Sequence, residues 1–176
     1  MADHNCGQNA RAVKNIRTAS SGDVELVASI IHCSFQDVAK RFSLTKENCP
    51  TNPSNCTADW IKADQERGVQ YFVLECGEAA VGCVGLETDG HGQWHLKRLA
   101  VVPDYRRQGF GGSLVQYALE HGRQNGANEV GLGIIADHTE LKEWYCRLGF
   151  TEVETRSFEH LPFRVTCMNR CLDPVD

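Results

Sequence analysis

Apolar residues recur along this chain with two different periods, one typical of helices and one typical of strands. Helical spacing is clearest where Val24, Val27, Ile31, Phe35 and Val38 form one stripe, preceded by Ser20-x-x-Asp23, which can cap a helix start. A helix that packs one face on a sheet has such a stripe. The pattern predicts four helices, over residues 24–38, 57–68, 114–126 and 139–148.

The strand-like segments are short, rich in β-branched and aromatic residues, and bounded by turn formers. Gly77-Glu78 joins two of them and predicts a hairpin. The predicted strands are residues 13–17, 70–76, 80–86, 94–102 and 129–136, with a final antiparallel pair between Phe150 and Met168. The order β-α-α-β-β-β-α-β-α-β-β predicts an α/β fold with a mixed, mostly antiparallel sheet of about six to seven strands. We expect one domain over residues 13–171, a flexible segment at 1–12 and a tail at 172–176.

Composition narrows the class of protein. The chain has 176 residues and a net charge of −5, so a nucleic-acid partner has no global electrostatic support. No apolar stretch is long enough to span a bilayer and the first residues do not resemble a signal peptide, which predicts a cytoplasmic protein without a membrane partner. The nine cysteines include no Cys-x-x-Cys pair, so we expect reduced thiols and no metal site; a thiol or metal sensor at Cys49 and Cys56 is an alternative.

The clearest chemical signal lies between the strand ending at residue 102 and the next helix. Tyr105-Arg106-Arg107-Gln108-Gly109-Phe110-Gly111-Gly112-Ser113 places two arginines and three glycines at a helix start. Backbone N–H groups there have no intrahelical partner, and glycine lets an anion approach the main chain closely. We therefore predict a phosphate-binding turn, with a solvated arginine pair as the alternative. A P-loop is excluded because no Gly-Lys-Ser/Thr follows.

A second glycine pattern does not carry the same meaning. Gly131-x-Gly133-x-x-Ala136 fits the dinucleotide-binding pattern on paper. Its glycines lie inside a predicted strand, whereas pyrophosphate binding requires them between a strand and a helix. A nicotinamide or flavin cofactor is therefore not expected.

Three segments, in the same order along the chain, resemble the signatures of the GNAT superfamily of N-acetyltransferases. They are Leu99-Ala100-Val101, the Arg106-x-x-Gly109-x-Gly111 loop, and Trp144-Tyr145-Cys146-Arg147-Leu148-Gly149-Phe150. The predicted element order is also that of the superfamily. The resemblance implies two splayed central strands, acetyl-CoA as cosubstrate without a metal, and direct transfer of an acetyl group to a primary amine in a ternary complex.

The resemblance also implies which residues bind acetyl-CoA. Main-chain groups of Leu99, Ala100 and Val101 would bond the pantetheine arm. The Arg106 guanidinium would bind the pyrophosphate, an anion that suits its fork of donors. The backbone amides of the loop would add to this site, from Arg107, Gln108, Gly109, Phe110, Gly111, Gly112 and Ser113. His138 lies where the superfamily usually has asparagine and could keep a polar contact.

Three residues are candidates for proton transfer. His95 lies at the strand position where catalytic members often have Glu or His, and strand alternation places it on one face with Lys97 and Leu99. An imidazole can accept the ammonium proton directly or through water. Glu87, at the end of the preceding strand, is the reserve base. Tyr145 lies where the superfamily has the tyrosine that protonates the CoA thiolate. A surface histidine and a core tyrosine are the alternatives.

The acceptor stays open at this stage. A small-molecule or peptide amine fits, and aminoglycoside, polyamine, amino acid and protein N-terminus all remain candidates. The loop region at residues 43–60 and the turn at 158–163 would border the acceptor groove. A non-catalytic acyl-CoA-binding or regulatory module of the same fold is the main alternative, and the protein is expected to be a monomer or homodimer.

Overall fold

The computed structural model of the protein describes residues 14–173. The predicted flexible segment at 1–12, the first residue of the predicted first strand and the last residues of the predicted tail lie outside this range. The strands are β1 (Lys14–Thr18), β2 (Gln70–Cys76), β3 (Ala79–Thr88), β4 (Gln93–Val101), β5 (Glu129–Ile135), β6 (Thr151–Ser157) and β7 (Arg164–Cys171). The helices are α1 (Val24–Arg41), α2 (Ala58–Glu66), α3 (Phe110–Gln124) and α4 (Thr139–Arg147).

All seven strands form one sheet in the order β1-β2-β3-β4-β5-β7-β6. Every neighbouring pair is antiparallel except β4 and β5, which run parallel. The predicted α/β class, the mixed and mostly antiparallel sheet, and the four helices are therefore confirmed. The Gly77-Glu78 hairpin is confirmed too, with Gly77 in the left-handed region at a φ of 64°.

The two parallel strands separate soon after they meet. β4 pairs with β5 only at Gln93, Trp94 and His95, opposite residues 129–131. β5 instead pairs along its whole length with β7. Residues 96–101 of β4 therefore leave one edge without a strand partner in the described part of the chain, and a gap opens between the two strands. The predicted splay is confirmed.

A β-bulge in β4 changes which side chains share a face. The register with β3 shifts between Cys83↔Ala100 and Gly85↔Lys97, and Arg98 has a left-handed φ of 48°. Leu96 and Leu99 are an odd number of residues apart, which would place them on opposite faces of a regular strand. Because of the bulge, both pack with the core beneath α3. The prediction that Leu99 shares a face with His95 and Lys97 is wrong, because the bulge reverses the alternation.

Helices cover both faces of the sheet. α1 and α2 pack over one face, where Ile31 and Ile61 belong to the same buried cluster as Tyr71 and Cys83. α3 and α4 cover the other face, with Leu114 and Tyr145 in one apolar cluster. No helix among residues 14–173 is long and apolar enough to cross a bilayer.

The segment between α1 and α2 is more deeply packed than its polar composition indicates. Cys49, Asn52, Ser54 and Cys56 are all buried. Asn52 accepts a hydrogen bond on Oδ1 from the Ser54 amide at 2.9 Å, which satisfies a backbone donor that would otherwise be buried alone. This segment therefore forms a fixed wall beside the splay.

Candidate active site

Two cavities meet where β4 and β5 separate. The first, which we call the loop cavity, has a volume of about 510 Å³ and lies between α1, the end of β4, the loop before α3, and α4. The second, the splay cavity, has a volume of about 300 Å³ and lies between β4, β5, β7 and the α1–α2 segment. The two cavities adjoin, because five residues line both of them: Phe35, Val38, Leu99, His138 and Leu141.

The loop cavity contains unpaired backbone donors at the start of α3. Gly109 is the N-cap with a φ of 81°, and the first helical hydrogen bond runs from Ser113 N to Gly109 O at 3.0 Å. The N–H groups of Phe110, Gly111 and Gly112 therefore have no acceptor among residues 14–173. The positive end of the helix dipole adds to them, so the site suits an anion.

The Arg106 side chain lines the loop cavity but is largely engaged by protein acceptors. Nε donates to Val101 O at 3.0 Å and Nη2 to Ser34 O at 2.6 Å, while both terminal nitrogens contact the Asp37 carboxylate. Burial raises the pKa of Asp37, but the hydrogen bond and charge of Arg106 outweigh it and the pKa is lowered. The guanidinium thus fastens the loop to α1 and has little donor capacity left for the predicted pyrophosphate contact.

The other predicted loop residues divide into two groups. Arg107, Gly109, Gly111 and Gly112 line the loop cavity, as do Leu99, Ala100 and Val101 of β4. The side chains of Gln108, Phe110 and Ser113 do not: Gln108 is exposed, Phe110 is buried in the core, and the Ser113 hydroxyl donates to Gly109 O at 3.1 Å. These three can contribute only main-chain groups.

Tyr145 lines the splay cavity from α4. Its ring packs against Trp144 and Phe150, with centroids 4.8 and 5.5 Å apart. Burial raises the pKa of Tyr145, so the phenol stays protonated at neutral pH. Since a phenol is ordinarily a weaker acid than a thiol, this hydroxyl is better suited to donating a hydrogen bond to a sulfur anion than to giving up its proton completely.

The predicted bases lie beside the splay but outside both cavities. His95 is exposed and sits at the last position where β4 pairs with β5, opposite Gly131. A Cβ atom at Gly131 would lie 3.5 Å from His95 Nδ1, an ordinary contact, but only 2.9 Å from Asn169 Oδ1, so the glycine leaves room for Asn169. Glu87 pairs with His95 across the β3–β4 ladder and forms an ion pair with Lys97. The structure therefore brings Tyr145 to the cavities and leaves His95 and Glu87 at their margin.

Two residues that line the loop cavity, Ser34 and His138, each have a buried polar atom without a hydrogen-bond partner. Among residues 14–173, the buried side-chain nitrogen and oxygen atoms without a partner are Ser34 Oγ and His138 Nδ1. Nδ1 lies 3.5 Å from a Glu140 oxygen, a distance that allows an ion pair when the imidazole is protonated. Burial, and secondly the charge of Arg41, lowers the pKa of His138. Buried polar groups are rarely left unpaired, so both residues are candidates for a ligand contact once a side-chain rotation exposes these atoms.

Sequence reasoning missed part of this site. Ser34 and Asp37 belong to an α1 surface that the apolar stripe assigned only to packing. Arg98 lines the splay cavity, and the signal for it was present: an arginine inside the apolar run of β4. Asn52, Pro53 and Phe163, from the two segments expected to border the acceptor groove, also line this cavity.

Comparison with known proteins supplies the family. The model of the acetyltransferase (GNAT) family matches residues 35–150, well over half of the chain. The chain belongs to the acetyltransferase (GNAT) family. The match includes β4, the loop before α3, and α4, so the GNAT signatures coincide with the walls of the two cavities.

Individual GNAT relatives are distant. An uncharacterized N-acetyltransferase of Methanocaldococcus jannaschii is 29% identical over 101 residues, which are 54% of this chain but only 44% of that protein. Among solved structures, a putative acetyltransferase, yncA, of Salmonella typhimurium with its cofactor acetyl-CoA has a TM-score of 0.68 at 20% identity, covering 93% of this chain and 96% of that one. The PaiA N-acetyltransferase of Thermoplasma acidophilum in complex with coenzyme A has a TM-score of 0.70 at 16% identity, covering 91% and 99%.

These similarities establish the GNAT fold for the whole described chain. They do not assign the acceptor. Within residues 14–173, no group of three or more histidine, cysteine or acidic side chains is placed to hold a metal ion.

Proposed function

We propose that this GNAT protein is an acetyl-CoA-dependent N-acetyltransferase that acetylates a primary amine. One observation carries the proposal: a cavity lined by free N–H groups adjoins a second cavity at the splay of β4 and β5. The first suits the anionic end of acetyl-CoA and the second suits the acceptor amine. The ligands named for the two solved relatives, acetyl-CoA and coenzyme A, support the choice of donor.

In this proposal, acetyl-CoA is bound by three sets of protein groups. The amides of Phe110, Gly111 and Gly112 hold the pyrophosphate, and the unpaired edge of β4 bonds the pantetheine arm as an added strand would. Ser34 and His138 give the arm polar partners. These roles use backbone and side-chain groups that the protein itself leaves unsatisfied.

The reaction is a direct attack. The amine nitrogen forms a bond to the thioester carbon while the carbon–sulfur bond breaks, and Tyr145 donates a hydrogen bond to the departing sulfur. The proton lost by the amine passes to water, with His95 as the candidate base that receives it through water. Glu87 is less suited to this role because Lys97 already neutralises it.

The cellular setting is part of the same proposal. All cysteines described by the structure have free thiols, which supports a reducing, cytoplasmic location. A small-molecule or peptide amine is the partner, and the protein acts as a monomer or homodimer.

The test measures CoA thiol release with acetyl-CoA and a panel of primary amines. Time-dependent release that requires both substrates supports the proposal. Tyr145→Phe tests the role of the hydroxyl, and His95→Gln tests the base, with Glu87→Gln as its matched control on the neighbouring strand. Unchanged rates over the whole pH range in the first two variants would remove their assigned roles.

A non-catalytic acyl-CoA-binding module is the second candidate. It is favoured by one observation, the position of His95 and Glu87 outside both cavities. Tight CoA binding by calorimetry, together with no thiol release from any amine in the panel, would select this candidate.

A further inference from the structure

The splay cavity has an unusual charge for a site that accepts an amine. Within residues 14–173, its lining contains no aspartate or glutamate, and the only permanently charged side chain in it is Arg98. The remaining lining is mostly apolar and includes Phe35, Phe163 and Val165. A polycationic acceptor would find no carboxylate here for its additional ammonium groups.

Arg98 is held through its Nη1 atom and by the ring of Trp60, whose centroid lies 5.7 Å from the guanidinium carbon. Nη1 donates to Tyr71 Oη at 2.7 Å and contacts Asp64, a carboxylate with only 1% of its surface exposed. The Tyr71 hydroxyl in turn donates to Asp64 Oδ2 at 2.7 Å. The edge of the guanidinium formed by Nε and Nη2 has no hydrogen-bond acceptor among the described residues.

The cluster around Arg98 carries excess positive charge. Asp64 is the one carboxylate, and it is shared between Arg98 and Arg67, which donates to Oδ1. Tyr71 is neutral because burial raises the pKa of its hydroxyl, which keeps its proton and donates a hydrogen bond to Asp64. Two guanidinium groups therefore face a single carboxylate, and Arg98 is the one of the two that lines the cavity. A free, preorganised guanidinium edge in a partly desolvated wall suits a carboxylate.

We propose that the acceptor is a free amino acid with an apolar side chain, whose carboxylate binds the Nε and Nη2 edge of Arg98. This inference rests on the proposed N-acetyltransferase function and names its substrate class. A protein N-terminus lacks the required group because its first carboxyl is an amide. Polyamines and aminoglycosides lack it as well.

The first test needs no variant. Thiol release by the full-length protein with acetyl-CoA is compared for L-leucine, L-leucinamide and 3-methylbutylamine, and for the same series built on phenylalanine, with spermidine as the polycation. We expect kcat/KM for the amino acid to exceed that of both carboxylate-free analogues by about 10- to 100-fold, the range of one charge-assisted pair. Leucinamide is less basic than leucine and has the larger unprotonated fraction at neutral pH, so a preference for leucine over the amide cannot come from amine protonation. Because 3-methylbutylamine is more basic than leucine, the two are compared per unprotonated amine.

The outcomes separate the two proposals. If leucinamide, 3-methylbutylamine or spermidine is acetylated as well as leucine or better, the substrate class is wrong while the N-acetyltransferase function stands. If acetyl-CoA binds but no amine is acetylated, the proposed function fails, and this inference with it.

Variants then locate the effect. Arg98→Lys keeps the charge and loses the fork, and Arg98→Gln loses both, so the amino acid preference should fall partly in the first and almost completely in the second. Arg67→Gln is the matched control, because Arg67 shares Asp64 but does not line the cavity; it should keep the preference. An equal loss for amino acid and amine in the Arg98 variants would indicate a purely structural role and overturn the assignment.

Discussion

Replacing Gly112 by alanine should raise stability and weaken CoA binding at the same time. Gly112 lies in the first turn of α3, and a Cβ atom built there meets nothing within 4 Å. Alanine is favoured over glycine within a helix by about 0.5–1 kcal/mol. For a chain of this size, this gain corresponds to a rise in Tm of about 1–4 °C.

The same methyl group would occupy space in the loop cavity that a bound pyrophosphate needs. Gly112 lines this cavity beside the free N–H groups. An anion displaced from them loses charge-assisted hydrogen bonds, each contributing about 1.5–3 kcal/mol. We therefore expect the Kd for CoA to rise by about 10- to 150-fold.

The assay combines thermal unfolding without ligand and calorimetric titration with CoA. Gly122→Ala is the positional control, since Gly122 lies in the same helix and its Cβ would contact Ala127 rather than the cavity; its affinity for CoA should not change. If Gly112→Ala is stabilised yet binds CoA as tightly as the wild type, the pyrophosphate does not lie against the start of α3, and the assignment of the loop cavity is wrong.

Four further predictions follow from individual contacts. Tyr145→Phe should lower kcat at least tenfold with little change in the KM for acetyl-CoA, measured by steady-state thiol release. Asp64→Asn should lower the free energy of unfolding by about 3 kcal/mol in urea titrations, because it leaves buried positive charge uncompensated; a loss below 1 kcal/mol would contradict the charge accounting. Ser34→Ala should not destabilise the protein, because the hydroxyl has no partner, but should weaken CoA binding; unchanged affinity would exclude the contact. Since burial lowers the pKa of His138 below 6.5, the unfolded chain binds that proton more tightly, and stability should fall as the pH drops from 7.5 to 5.5. In His138→Gln, the urea midpoint should drop less between pH 7.5 and 5.5 than in the wild type. An equal drop would refute the assignment of this pH dependence to His138.

The sequence predicted the elements of the fold well, because each depends on local periodicity and turn chemistry. The hairpin at Gly77 and the glycine-rich start of α3 are examples. The bulge at Arg98 could not be predicted in this way. An arginine gives no local signal for a left-handed φ, and one extra residue in a strand reverses every later inside–outside assignment.

The candidate site was predicted only as far as it lies on contiguous motifs. The residues of the loop before α3 were found, but the partners of Arg106 were not, because Ser34 and Asp37 come from a helix about seventy residues earlier in the chain. An arginine in an anion-binding motif was expected to bind the anion. Its four bonds to the protein instead make it a brace between the loop and α1.

The wall shared by the two cavities has a consequence for how variants of this protein should be interpreted. Phe35 and Val38 lie on α1, the helix that Arg106 ties to the loop, and they border both the loop cavity and the splay cavity, the proposed sites of donor and acceptor. A change in either side chain will alter the Michaelis constants of both substrates together. Such variants cannot be used to assign a residue to one substrate. Substitutions on α1 that are selected for a new acceptor should also weaken binding of the donor.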